Sequence, residues 1–179
     1  MIFTLIPTAW ADGEGGTPAA KAAEVNGTQY ETLQAAADAA QDGDTVTLLA
    51  NTTEDVTIAK SITLDLGGKT LTNTNAGKAT ISVTGGTVTV KNGSVVGGTS
   101  YYNIEVTKNS GANLTLESVT ATAGNTGSSM LDNWGTLTIK SGTYTGGLNV
   151  VKSEEGSTLN ISGGKFTLAY ATSGYTGVI

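Results

Sequence analysis

Four short segments share one pattern: "TVTVKNGSV" from Thr87, "NLTLESVTA" from Asn113, "TLTIKSGTY" from Thr136 and "TLNISGGKF" from Thr158. An earlier member, "SITLDLGGKTL", begins at Ser61, so the starts lie 26, 26, 23 and 22 residues apart. A second strand family, "ATISV", "YNIEV", "MLDNW" and "LNVVK", falls between them. Apolar and polar residues alternate within each strand, and Gly, Asn or Ser closes most turns. A repeat of this length with no intervening helix specifies a solenoid, because one coil alone cannot bury its apolar side and stacked coils can. The expected fold is all-β, a right-handed parallel β-helix with coils of about 22–26 residues. Coils ~4.8 Å apart and about six in number give a rod roughly 30 Å long.

A stack of this kind leaves its first coil with open strand edges and an uncovered apolar end. The stretch "LQAAADAAQDGDTVTLL" supplies a cover. Leu33, Ala36, Ala37 and Ala40 share one helix face, Thr32 is placed to cap the N-terminus, and Gly43 to turn the chain after the helix. Small alanines let such a helix sit close to the strands. The predicted domain runs over 24–179, after a Gly/Ala-rich linker at 12–23. Residues 1–11, "MIFTLIPTAWA", are apolar and end in Ala9-Trp10-Ala11, the pattern of the back half of a secretory signal peptide. That remnant predicts an extracellular or cell-surface location. At the other end, "SGYTGVI" from Ser173 reads as the start of another coil. An uncapped last coil would favour a C-terminally truncated fragment, or end-to-end self-association.

From Tyr30 to Leu71 the chain reads "YETLQAAADAAQDGDTVTLLANTTEDVTIAKSITLDLGGKTL". This stretch resembles the N-terminal region of pectin-lyase-like right-handed parallel β-helices, in which a helix leads through "GD" into the first coils. The downstream "LTIKSGTY" and "LNISGGKF" repeats resemble β-helical regions of adhesin-like surface proteins from Gram-positive gut bacteria. The superfamily includes pectate lyases, polygalacturonases and pectin methylesterases. Pectate lyases use clustered Asp to hold calcium and a Lys or Arg base; this chain has no Arg. Its later acids, Asp55, Asp65, Glu105, Glu117, Asp132, Glu154 and Glu155, fall in no family motif, so no catalytic residue carries over.

Composition closes further classes. A formal charge of -6 with nine scattered lysines disfavours nucleic acid and anionic membrane surfaces. No run is long enough to span a bilayer, so no membrane insertion is expected. Without Cys or His there is no thiolate metal site and no Ser-His or Cys-His nucleophile. No cofactor or metal is expected. If Ile104 and Leu131 point inward in adjacent coils, Glu105 and Asp132 stand side by side outside, with Ser82 and Asn149 extending the column. Tyr101, Tyr102 and Trp134 border the same patch. Aromatic faces beside carboxylates suit a sugar, whose C–H face stacks on a ring while its hydroxyls donate to the acids. Two adjacent acids also suit acid/base chemistry, because repulsion parts their pKa values.

Two other features read as structural. Thr87/Thr89, Asn113/Thr115, Thr136/Thr138 and Thr158/Asn160 should stack as columns of strand-favouring residues, a spacing that ice-binding surfaces also use. Asn133, Asn149 and Asn160 are candidates for an inward asparagine ladder. The favoured expectation is a non-catalytic extracellular module binding a polysaccharide, host glycan or protein partner through Tyr101, Tyr102, Glu105, Asp132 and Trp134. The alternatives are a polysaccharide lyase or glycoside hydrolase fragment using Glu105 and Asp132, and an architectural spacer.

Overall fold

The structure, a computed structural model, describes residues 20–99, 101–127 and 129–169. The expected leader at 1–11, most of the linker at 12–23 and the final segment Ser173–Ile179 lie outside the described residues. The described residues form a parallel β-solenoid of about five turns, with one short helix near its start.

Each coil makes up to three strands, and equivalent strands pair in parallel. The N-terminal hairpin is β1 (Ala23–Val25) and β2 (Thr28–Tyr30), and α1 (Leu33–Ala39) follows. The coils begin with β3 (Thr45–Leu48), β4 (Thr52–Thr53), β5 (Val56–Ile58), β6 (Thr63–Asp65), β7 (Thr70–Thr72) and β8 (Ile81–Val83). They continue with β9 (Thr87–Val96), β10 (Ile104–Val106), β11 (Asn113–Thr122), β12 (Leu131–Asn133), β13 (Thr136–Ile139), β14 (Gly142–Gly146), β15 (Val151–Ser153), β16 (Thr158–Ile161) and β17 (Lys165–Leu168). The first face stacks β3, β6, the front half of β9, the front half of β11, β13 and β16. A second stacks β4, β7, the back halves of β9 and β11, β14 and β17. The third is a separate five-stranded sheet, β5-β8-β10-β12-β15.

The first two faces meet at a corner that every coil turns. Asn92 turns it in β9 at φ 59°, and Gly93 follows. A Cβ on Gly93 would lie 2.4 Å from the Leu66 Cβ and 2.6 Å from the Lys69 carbonyl oxygen, so the coils touch there backbone to side chain. Gly142 makes the equivalent turn at φ 125°. The "LGG", "KNG", "KSG" and "SGG" of the repeats are these corners.

Inward residues stack in ladders that form the core. Val46, Leu64, Val90, Leu116 and Ile139 line up on the first face, and Val56, Ile81, Ile104, Leu131 and Val151 on the third; all are buried. Leu71, Val95, Ala121, Tyr144 and Phe166 form the second-face ladder. There the Tyr144 and Phe166 rings stack at 5.2 Å, and the Tyr144 hydroxyl donates to the Ser141 carbonyl at 2.8 Å. Burial of that phenol pushes its pKa up.

The helix is a lid, and its attachment goes beyond apolar contact. Leu33, Ala36, Ala37 and Ala40 are buried, and the Thr32 hydroxyl accepts from the Ala35 amide at 3.1 Å. Glu54 accepts from the Leu33 and Gln34 amides, both at 2.8 Å, satisfying two donors that a helix start leaves orphaned. At the other end the Lys60 ammonium donates to the Asp38 and Ala40 carbonyls. The Gln34 side chain accepts from the Thr57 amide at 2.8 Å and donates to the Thr57 carbonyl at 3.0 Å. It thus pairs with the open edge of β5 as a neighbouring strand would. Gly43, at φ 93°, turns the chain toward β3 and donates to the Ser61 carbonyl at 2.6 Å.

The hairpin of β1 and β2 was not anticipated. Its turn, Asn26-Gly27, has φ values of 51° and 77°, and β1 pairs antiparallel with β3 to close the first face.

Of the three candidate ladder asparagines, Asn133 is buried and donates to Ser153 and Thr158 of the next coil, and the other two are not buried. Asn160 lies opposite Thr138 on the outward side and is exposed; Asn149 is half-buried. The buried asparagines are Asn73, Asn103 and Asn133. Asn103 donates to the Val95 and Thr122 carbonyls of successive coils, each at 3.0 Å, and so ties one turn to the next. The threonine columns do form, with Thr45, Thr63, Thr89, Thr115 and Thr138 in one line. Beside them run two ion pairs, Asp65 with Lys91 and Glu117 with Lys140, each at 3.5 Å.

Candidate functional site

The third face carries an outward column of Thr57, Ser82, Glu105, Asp132 and Lys152, each opposite the next. Glu105 and Asp132 are therefore direct neighbours, and Ser82 adjoins Glu105 as expected. The fifth position is Lys152, not Asn149. Val150 and Val151 are both buried, and that apolar pair hides the alternation which would have fixed the register. Alignment on Val151, opposite Leu131, would have found Lys152.

Asp132 is outward in register and still 3% exposed. Its Oδ2 accepts from the Trp134 indole N–H at 2.9 Å, and its Oδ1 makes no hydrogen bond among the described residues. Burial raises its pKa to about 6; the indole bond opposes this, Glu154 and Glu105 add to it, and Lys152 opposes it. The neighbouring Glu105 is half-buried and accepts from the Ser82 hydroxyl at 2.7 Å. Lys152 is engaged with the Glu154 carboxylate, which raises the lysine pKa.

Tyr101 and Tyr102 precede β10 and pack edge to face, with ring centroids 4.8 Å apart at 61°. Both phenols have raised pKa values, first from burial. Next come Glu105 and then Asp132 for Tyr101, and Asp132 for Tyr102. Two shallow grooves flank this pair. One, of about 360 Å³, is bordered by Tyr101, Tyr102, Ser129, Asn149 and Lys152. The other, of about 310 Å³, is bordered by Lys78, Ser82, Thr84, Tyr101 and Glu105. Tyr101 is the wall they share.

Trp134 is placed differently from the tyrosines. It borders neither groove; its indole N–H is committed to Asp132, and the Lys108 ammonium sits 4.2 Å from its ring centroid. A sugar would have to displace that cation to stack there. Trp134 acts here as the support that orients Asp132. Lys108 and Lys152 were not anticipated as members of the site.

Among the described residues no group of three or more carboxylates could hold a metal ion, and no helix is long and apolar enough to cross a membrane. Comparison with family models, curated proteins and solved structures found no match to this chain.

Proposed function

We propose that this chain is a non-catalytic extracellular module of a bacterial surface protein, adhesin-like, whose third face binds a glycan. The observation that carries this reading is the Tyr101–Tyr102 pair, set between two grooves and beside the Glu105–Asp132 column. Aromatic edges and faces pack on the apolar side of a sugar ring, while carboxylates and hydroxyls take its O–H groups. Shallow, open grooves on a rod suit a chain ligand running along the coils. The Tyr30–Leu71 pattern supports descent from pectin-lyase-like right-handed β-helices, and the repeats support the Gram-positive surface setting. A protein partner would use the same face.

A second reading has one observation in its favour. Asp132, whose pKa burial raises to about 6, stands directly beside the half-buried Glu105, and two adjacent acids of this kind suit acid/base chemistry in a polysaccharide hydrolase or lyase. Both acids lie on one flat column, however, whereas glycosidase carboxylates flank the bond they break. The spacer reading would be favoured by a buried Trp134 and an outer face without grooves; the half-buried Trp134 and the two grooves favour the binding module instead.

The test is retention of the chain on plant and mucin polysaccharides, with reducing and unsaturated sugar ends assayed in parallel. Retention without product, weakened at least about tenfold in Tyr101→Ala and Tyr102→Ala, supports the module. Product formation that stops in Glu105→Gln would replace it with the enzyme.

A further inference from the structure

We propose that the Glu105–Asp132 pair takes the protonated amine of an unacetylated amino sugar. This rests on the glycan-binding reading above and specifies its ligand class. Asp132 Oδ1 is a buried carboxylate oxygen with no donor, a state that costs free energy unless a partner arrives. The nearest lysines make their close contacts elsewhere, Lys152 with Glu154 and Lys108 over the Trp134 ring, so Lys152 acts on Asp132 only through space. Among the described residues no lysine forms an ion pair with Glu105 or Asp132. Two adjacent acids thus have no direct ion-pair partner among the described residues, and the phenol rings beside them favour a cation as well. An ammonium is small and carries three donors, enough for Oδ1, Glu105 and one further acceptor.

Oδ1 lies beneath the surface, so the group that reaches it is a substituent and not a ring. Tyr101 is 38% exposed, and exposed side chains change rotamer within nanoseconds. The sugar ring would then lie along Tyr101 and Tyr102 with its amine directed between the acids. An N-acetylated sugar offers a neutral amide in place of the cation and should bind this pair more weakly.

The groups facing Asp132 are Glu105 on β10, Lys152 and Glu154 at β15, Tyr101 and Tyr102 before β10, and the Trp134 indole. Of these, Asp132 is the one with a pKa raised to about 6. Binding needs its ionised form, so affinity falls as the pH drops below about 6. It falls again above roughly 8, where an α-amino-type group loses its proton.

Calorimetric titration of the full chain with β-1,4-glucosamine, N-acetylglucosamine and glucose oligomers of equal length tests this. The expected result is at least about tenfold tighter binding of the glucosamine oligomer at pH 7. That preference should vanish in Asp132→Asn and in Glu105→Gln, and shrink at pH 5. Equal binding of all three oligomers, or a preference that survives both variants, overturns the amine assignment and leaves the glycan reading intact. Absence of binding by any of them overturns the amine assignment, and the polysaccharide panel then decides the broader reading on its own.

Discussion

Asp132 shows how one side chain can be at odds with its fold and still be held there. Its register makes it an outward residue, yet Trp134 and the neighbouring coil take it out of water. The folded protein keeps its proton up to a pH of about 6, above the ~3.9 of an unfolded aspartate. The folded state therefore binds more protons over that interval, and this group's contribution to stability falls as the pH rises from about 4 through 6. Asp132→Asn removes the titration and keeps an acceptor for the indole. Relative to wild type, the variant should gain on the order of 2 kcal/mol between pH 4 and pH 7. Urea unfolding at the two pH values measures this, and a constant difference between the proteins would refute it. The sequence announced the pairing of Glu105 with Asp132 through the alternation in "YNIEV" and "MLDNW". It did not announce burial, because burial depends on where Trp134 and the tyrosines fold back. Lys152 was hidden for another reason: the adjacent valines 150 and 151 erase the period of two.

The first coil is held by several individual contacts to one short element. A seven-residue helix is marginal by itself in water. Here its start is bound by Glu54, its end by Lys60, and its side by Gln34 pairing with Thr57. Glu54→Ala should lower stability by about 1–2 kcal/mol, since it strips acceptors from two helix amides. Gln34→Ala should cost about 1 kcal/mol and also bare the edge of β5. The two differ in a second readout: light scattering should detect concentration-dependent association for Gln34→Ala and not for Glu54→Ala. The helix, its N-cap Thr32 and its buried face were legible from spacing alone. Its clamps were not, because Glu54 and Lys60 lie in the turns on either side of β5, whose position only the register supplies. The β1–β2 hairpin could have been read from Asn26-Gly27.

The whole molecule is close to one-dimensional, so its stability is approximately a sum over coils and the contacts between neighbours. Asn113 and Thr136 occupy equivalent positions, as do Thr87 and Thr158. Removal of Asn113–Gly135 should therefore join Ala112 to Thr136 in register and excise one complete coil. The shortened chain should keep a cooperative β-sheet unfolding transition at lower stability, while glycan retention weakens as Ser129 and Asp132 leave the surface beside Tyr101 and Tyr102. Circular dichroism together with the retention assay distinguishes this from general collapse. The repeat was the most legible feature of all, since period, corner glycines and inward ladders each signal it separately.

The Gln34 amide stands where a strand would, and it gives the rod a direction. On the third face the starting end is met by one side chain that offers its own C=O and N–H and no continuation, while β1 and the helix cover the rest. Duplication or loss of a coil anywhere beyond β5 leaves that seal untouched and changes the length by only ~4.8 Å. Lineages of such a chain are free to vary reach in fixed increments, as a measuring rod is cut from one end, while the starting plug stays constant.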